Sequence, residues 1–141
     1  FFSSYKSDRY GFNNPDGVWN KNKIDFAIIG DSFVHGDCVN RPNDISSVLR
    51  NLSGSSVLNL GYGGNGPLIQ YATLREYLKP GIKNILWLYF EGNDLVRLGP
   101  TGGLSSNPGI LIIFFSEHQY IISSYNLKMF CTFLNFLPKQ F

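Results

Sequence analysis

Three short apolar runs, Ile24–Ile29, Val57–Leu60 and Ile85–Phe90, each stop at a loop of glycine and small polar residues, and a helical pattern fills each gap. The runs are rich in β-branched and aromatic residues and too short for helices, so they read as strands. Ile85-Leu86-Trp87-Leu88-Tyr89-Phe90 is continuous rather than alternating, as expected of a parallel strand covered on both faces. In the first gap, Pro42 to Leu52 reads as a helix. Ile45, Val48, Leu49 and Leu52 fall at i, i+3, i+4 and i+7, and Gly54 supplies the stop. In the second gap, Pro67 suits a first helical position, Tyr71, Leu74 and Leu78 share a face, and Pro80-Gly81 ends the helix. Strands alternating with helices predict an α/β fold, a three-layer doubly wound parallel sheet. Right-handed crossovers bring the three strand-end loops to one edge, outside which ligands bind in such sheets. Ser32, the loop Gly61–Gly66 and Asn93 therefore converge.

A chain of 141 residues is one domain by size and long enough for a real core. The pattern assigns residues 24–98 to the α/β core, 1–23 to an aromatic, turn-rich lead-in, and 99–141 to a linker and apolar tail. Asn13-Asn14-Pro15-Asp16-Gly17 is a strong turn signal flanked by Tyr10, Phe12, Val18 and Trp19, so the lead-in reads as hairpin-like, its aromatics packed on the core. Gly99 to Gly109 is rich in Gly, Pro and Ser, and the Phe-rich tail, Met129 to Phe141, fits no element. A net charge of +2, with 12 basic residues scattered rather than clustered, disfavours nucleic acid. The apolar stretch Gly109 to Phe115 meets Glu117 well short of a spanning length, so no membrane segment is expected. Cys38 and Cys131 are too few for a disulfide scaffold and fit no metal motif; of the two readings, a mutual pair or two buried thiols, the buried thiols are preferred. The chain opens on Phe1-Phe2 without Met or a signal-peptide pattern, and reads as the inside of a longer protein.

The first strand runs into Gly30-Asp31-Ser32-Phe33-Val34-His35-Gly36. A serine two residues past a strand end, on a sharp turn that opens a helix, presents its hydroxyl at the carboxyl edge of the sheet. Acyl transfer from an ester needs such a nucleophile, donors for the oxyanion, and a base for the nucleophile's proton. Donors are at hand in the Ser32 backbone N–H, a backbone N–H of the glycine loop, and the Asn93 side-chain amide.

Over residues 24–98 the sequence resembles the SGNH (GDSL-type) hydrolases. Gly30-Asp31-Ser32 matches that family's first block, Asn59-Leu60-Gly61-Tyr62-Gly63-Gly64 resembles the second, and Gly92-Asn93-Asp94 matches the third. The resemblance implies a flavodoxin-like sheet, Ser32 as nucleophile, and Gly64 and Asn93 as oxyanion donors. It also implies acyl esters, such as acetylated sugars or lipids, as substrates, no cofactor, and a periplasmic or cell-envelope setting. Ser7-Asp8-Arg9-Tyr10-Gly11-Phe12 looks like the segment that precedes the domain in some bacterial members.

One block is missing. The family's Asp-x-x-His near the C-terminus supplies the base and its orienting carboxylate, and neither His35 nor His118 has an Asp three residues before it. His35 lies one turn after Ser32, but a histidine in a strand-to-helix turn is more often a local hydrogen-bonding residue. The expectation is a chain that stops before the catalytic His and the later strands, and that is inactive as given. A rival reading takes Gly61-x-Gly63-x-x-Gly66, after a strand and before a helix, as a nucleotide-binding loop with Glu91 on the ribose. Pro67 weighs against it by removing an N–H that a pyrophosphate would use. A third reading is a silent domain that binds the same ligand without turning it over. Asp31 and Asp94 read as turn braces, Trp87, Tyr89 and Phe90 as core, and Asp31, His35 and Asp37 as too local a set for a metal.

Overall fold

The computed structural model describes residues 3–90, 110–116 and 120–125. Strand β1 (Ile24–Ile29) lies between β2 (Val57–Asn59) and β3 (Ile82–Phe90), and both pairings are parallel. Helices α1 (Ser32–His35) and α2 (Ile45–Ser53) connect β1 to β2, and α3 (Pro67–Tyr77) connects β2 to β3. The order β2-β1-β3 is the one in which flavodoxin-like sheets begin.

Alternation along β1 explains why the sheet is covered twice. Phe26 and Ile28 face a cluster with Val34, Leu49, Val57, Leu86 and Leu88, packed under α1 and α2. Ala27 and Ile29 face the other way, into Phe12, Trp19, Leu58, Leu60 and Leu74. Ala27, Ile28 and Ile29 are fully buried. At roughly 1.5–3 kcal/mol for each large aliphatic side chain removed from water, this central strand is a major source of stability.

The sheet is not wholly parallel. Strands β4 (Ile110–Ser116) and β5 (Tyr120–Tyr125) extend it past β3, both antiparallel, giving β2-β1-β3-β4-β5. A parallel neighbour needs a crossover of a dozen or more residues, usually a helix, and the sequence between Phe90 and Ile110 carries no helical pattern. The apolar stretch after residue 109 supplies β4, so part of the region read as linker and tail belongs to the sheet.

Several local expectations also need correction. The lead-in is not a hairpin but a loop ending in a 3-10 turn, Asp16–Asn20, with Phe12 and Trp19 buried. Asp8 organises it: Oδ1 accepts from the backbone N–H groups of Tyr10 and Phe12, and Oδ2 from Asn14 Nδ2 and Trp19 Nε1. Helix α2 starts at Ile45 rather than Pro42, because the Asp44 carboxylate caps it by accepting from Ser47 N–H at 2.9 Å. In α3 the buried face is Gln70 and Leu74 with Tyr77 partly buried, while Tyr71 and Leu78 are exposed. Gln70 takes a core position because its amide is bonded at both ends, to the Asn65 carbonyl at 2.9 Å and the Trp87 indole N–H at 2.6 Å. Cys38 is exposed rather than buried, and Cys131 lies outside the described residues.

Candidate active site

β1 delivers the serine turn. After Ile29, Gly30 ends the strand and Asp31 caps α1, its Oδ1 accepting from Phe33 N–H at 3.0 Å. Asp31 is thus a brace for the turn. Ser32 is the first residue of α1 and half-buried, and among the described residues its Oγ has no hydrogen-bond partner. Val34 is fully buried beneath it, while Phe33 is exposed and its ring lies 5.0 Å from that of Phe90. Phe90 ends β3, so the serine turn stands beside the carboxyl end of that strand. Asn93, Glu91 and Asp94 lie outside the described residues, as does His118.

The glycine loop arrives from β2 and is pressed against the same turn. The Tyr62 N–H donates to the Gly30 carbonyl at 3.3 Å. Gly61 sits so close that a Cβ there would stand 2.5 Å from Val34 Cβ and 2.7 Å from the His35 nitrogen, so no larger residue fits without displacing α1. Gly64, at the tip of the loop, has φ +82°, a left-handed conformation that turns its peptide away from the path an extended chain would take. The structure therefore brings the Ser32 turn and the Gly61–Gly66 loop together at one sheet edge.

Asn59 is what locks the two segments. It is fully buried, its Nδ2 donates to the Val34 carbonyl at 2.6 Å, and its Oδ1 accepts from Gly61 N–H at 2.8 Å. Its own backbone N–H and carbonyl pair with the Asn14 side chain, both at 2.8 Å, as they would with a neighbouring strand. Asn13 adds a third tie, donating to the His35 carbonyl at 2.7 Å and accepting from Arg41 Nε at 2.8 Å.

His35 is 7% exposed and its ring is enclosed by three residues. Tyr62 stacks on it with centroids 5.1 Å apart, and Tyr5 meets it edge-on at 4.9 Å. Nδ1 lies 2.7 Å from Asp37 Oδ1, and Nε2 lies 2.5 Å from the Tyr5 hydroxyl. The Gly63 N–H also points at Nδ1, at 3.4 Å; the shorter contact with the carboxylate decides that Nδ1 carries a proton and donates it to Asp37. Burial, with Tyr62 and then Asp37 nearby, pushes the Tyr5 phenol above its ordinary pKa, so Tyr5 stays a donor. Tyr5, Asp37 and Tyr62 were not visible as a group in the sequence. The signal was the glycine inside His35-Gly36-Asp37: Gly36 caps α1 in the left-handed region and folds Asp37 back beside the imidazole.

The opening of α3 offers little to a dinucleotide. Gly66 caps it without a side-chain bond, Pro67 contributes no N–H, and the Ile69 and Gln70 N–H groups donate to the Gly66 carbonyl. No helix among the described residues is long and apolar enough to cross a membrane. Compared with family models, curated proteins and solved structures, the chain matches none of them.

Proposed function

We propose that the chain carries the acyl-accepting half of a serine ester hydrolase of the SGNH type. Ser32 is the nucleophile, its backbone N–H together with that of Gly64 and the Asn93 side-chain amide receive the oxyanion, and the substrate is an acyl ester such as an acetylated sugar or lipid. The reaction joins Ser32 Oγ to the acyl carbon, expels the alcohol, and releases the acid when water attacks the acyl-enzyme. The observation that carries this reading is Ser32 itself. It is a half-buried residue whose hydroxyl has no partner among the described residues, on the turn between β1 and α1, with Gly61 of the glycine loop packed so closely on that turn that a Cβ would strike Val34.

No described side chain is hydrogen-bonded to Ser32 Oγ, so nothing among the described residues takes its proton and slow reaction is the expectation. A positioned general base is worth ~10²–10⁴ in rate. The test is covalent labelling with a fluorophosphonate probe, read by mass spectrometry of the peptide that spans Gly30–Gly36. The expected result is slow labelling at Ser32 that Ser32→Ala removes, alongside feeble turnover of p-nitrophenyl acetate. Labelling elsewhere, or labelling that Ser32→Ala leaves intact, rejects the proposal.

A further inference from the structure

Helix α3 is amphipathic along its axis rather than around it. In its first two turns the exposed positions are Leu68, Ile69, Tyr71 and Ala72, and in its last they are Arg75 and Glu76. Leu68, at 75%, and Ile69, at 55%, are the most exposed large apolar side chains among the described residues. Leu68, Tyr71 and Ala72 fall at i, i+3 and i+4, so they share one face, with Ile69 on its flank. Single apolar side chains on a surface are ordinary, whereas a contiguous group marks an interaction site.

Topology sets this end of the helix at the carboxyl edge of the sheet. α3 leaves the loop that follows β2 and runs back to the start of β3, so its first turn stands where β1 and β2 end. Two more exposed aromatics belong to that edge, Tyr62 in the glycine loop and Phe33 in the first turn of α1, next to Ser32. No charged residue occurs between Arg50 and Arg75. Asp37, whose Oδ2 lies against Gly63, adds a negative rather than a positive charge beside the loop.

We propose that this edge is a docking surface for a neutral, zwitterionic lipid layer, into which the start of α3 sinks end-on with Phe33 and Tyr62 at its margin. The pattern favours lipid over a groove in a protein. A helix held in a groove presents apolar anchors along its whole length at i, i+3, i+4 and i+7, and the i+7 position from Leu68 is Arg75. A lipid layer instead takes one apolar end and leaves the charged end in water. Pro67 to Ala72 spans about 9 Å at 1.5 Å per residue, within the ~5–10 Å to which interfacial elements sink. Tyr62 and Tyr71 carry hydroxyls on apolar rings, the chemistry that settles at headgroup level. Anionic lipid is met by clusters of Lys and Arg, and residues 51–74 hold neither. Ser32 stands at the same edge, so docking brings it to esters lying in the layer, but the docking itself is independent of any chemistry at Ser32.

The experiment is flotation of the chain with phosphatidylcholine vesicles, with melting curves confirming that each variant is folded and size-exclusion chromatography without lipid reporting its oligomeric state. The unmodified chain is expected to float with the vesicles. Leu68→Ser and Ile69→Ser together should weaken partitioning at least ~10-fold, since each takes a large aliphatic side chain out of apolar contact. Leu52→Ser and Leu78→Ser, exposed apolar positions near the ends of α2 and α3 at the opposite edge, should leave it unchanged. Enriching the vesicles in phosphatidylserine should not strengthen binding. Absence of flotation, or an equal loss in the opposite-edge variants, overturns the proposal. So does a clear gain on phosphatidylserine. A dimer that dissociates on the paired substitution, with no flotation of the unmodified chain, assigns the face to a second copy and also overturns it. Fluorophosphonate labelling of Ser32, read in parallel without lipid, separates the two readings. Labelling without flotation rejects the docking surface alone, and flotation without labelling rejects the nucleophile alone.

Discussion

Asn14 ties the lead-in to both α2 and β2 through its side chain. Its Nδ2 donates to Asp8 Oδ2 and to the Asn59 carbonyl, and its Oδ1 accepts from Asn59 N–H and Arg50 Nη2, with every distance between 2.8 and 2.9 Å. All the bonds a carboxamide can make are therefore made inside the protein, at a site 1% exposed. Asn14→Ala strands the buried Asn59 N–H and is expected to destabilise by about 2–3 kcal/mol, read from the midpoint of urea unfolding. Asp25 provides a second prediction at this scale. Its carboxylate accepts from the Ser56 N–H and hydroxyl and faces Lys83 at 3.2 Å, which holds its pKa below the ordinary value. A carboxyl group depressed in the folded state stabilises above its unfolded pKa of ~3.9 and loses that contribution as pH falls through the folded value. Asp25→Asn is thus expected to lower stability at pH 7 by no more than about 1 kcal/mol, given the solvent screening of a partly exposed group. The difference from the unmodified chain should close in acid below pH ~4, and a difference that persisted there would show that the carboxylate charge is not its source.

Among the elements, what could be read in the sequence divides by mechanism. β1 was recoverable to the residue, because a β-branched and aromatic run interrupted only by Asp25 and ending in glycine has few other uses. The faces of α3 were not. Periodicity favoured Tyr71, Leu74 and Leu78, yet Gln70 holds the core position through two side-chain hydrogen bonds to groups that no local pattern reveals. The same holds at the site. That Ser32 and the glycine loop meet follows from topology and was legible, whereas Tyr5 reaching His35 from 30 residues away was not. The contact of the β2–α3 loop with α1 is itself testable. Gly61→Ala puts a methyl into Val34 and the His35 backbone, and overpacking of this kind costs about 1–3 kcal/mol. It should lower the melting temperature and also slow any labelling of Ser32, since relief of the clash moves the loop away from the serine turn. Equal labelling in a destabilised variant would mean that the loop position does not matter to the nucleophile.

Taken whole, the molecule is a parallel three-stranded core with helices on both faces, completed on one side by an antiparallel pair and on the other by the lead-in. Seven residues of β3 pair with β4, so β4 covers an edge that would otherwise expose a long apolar strand. Deleting residues 110–125 is expected to leave that edge open and to drive self-association, visible as a shift to large species in size-exclusion chromatography, and a monodisperse deletion variant would contradict this. The side-chain pairing of Asn14 with Asn59 has a consequence in time rather than in space. Donor and acceptor are 45 residues apart, so during synthesis at ~5–20 residues per second the lead-in leaves the ribosome several seconds before the strand it completes. Through that interval the nascent segment holds the Asn14 side chain in water, its natural partner until β2 arrives. Residues that look misplaced in a finished interior are the ones best suited to wait outside it.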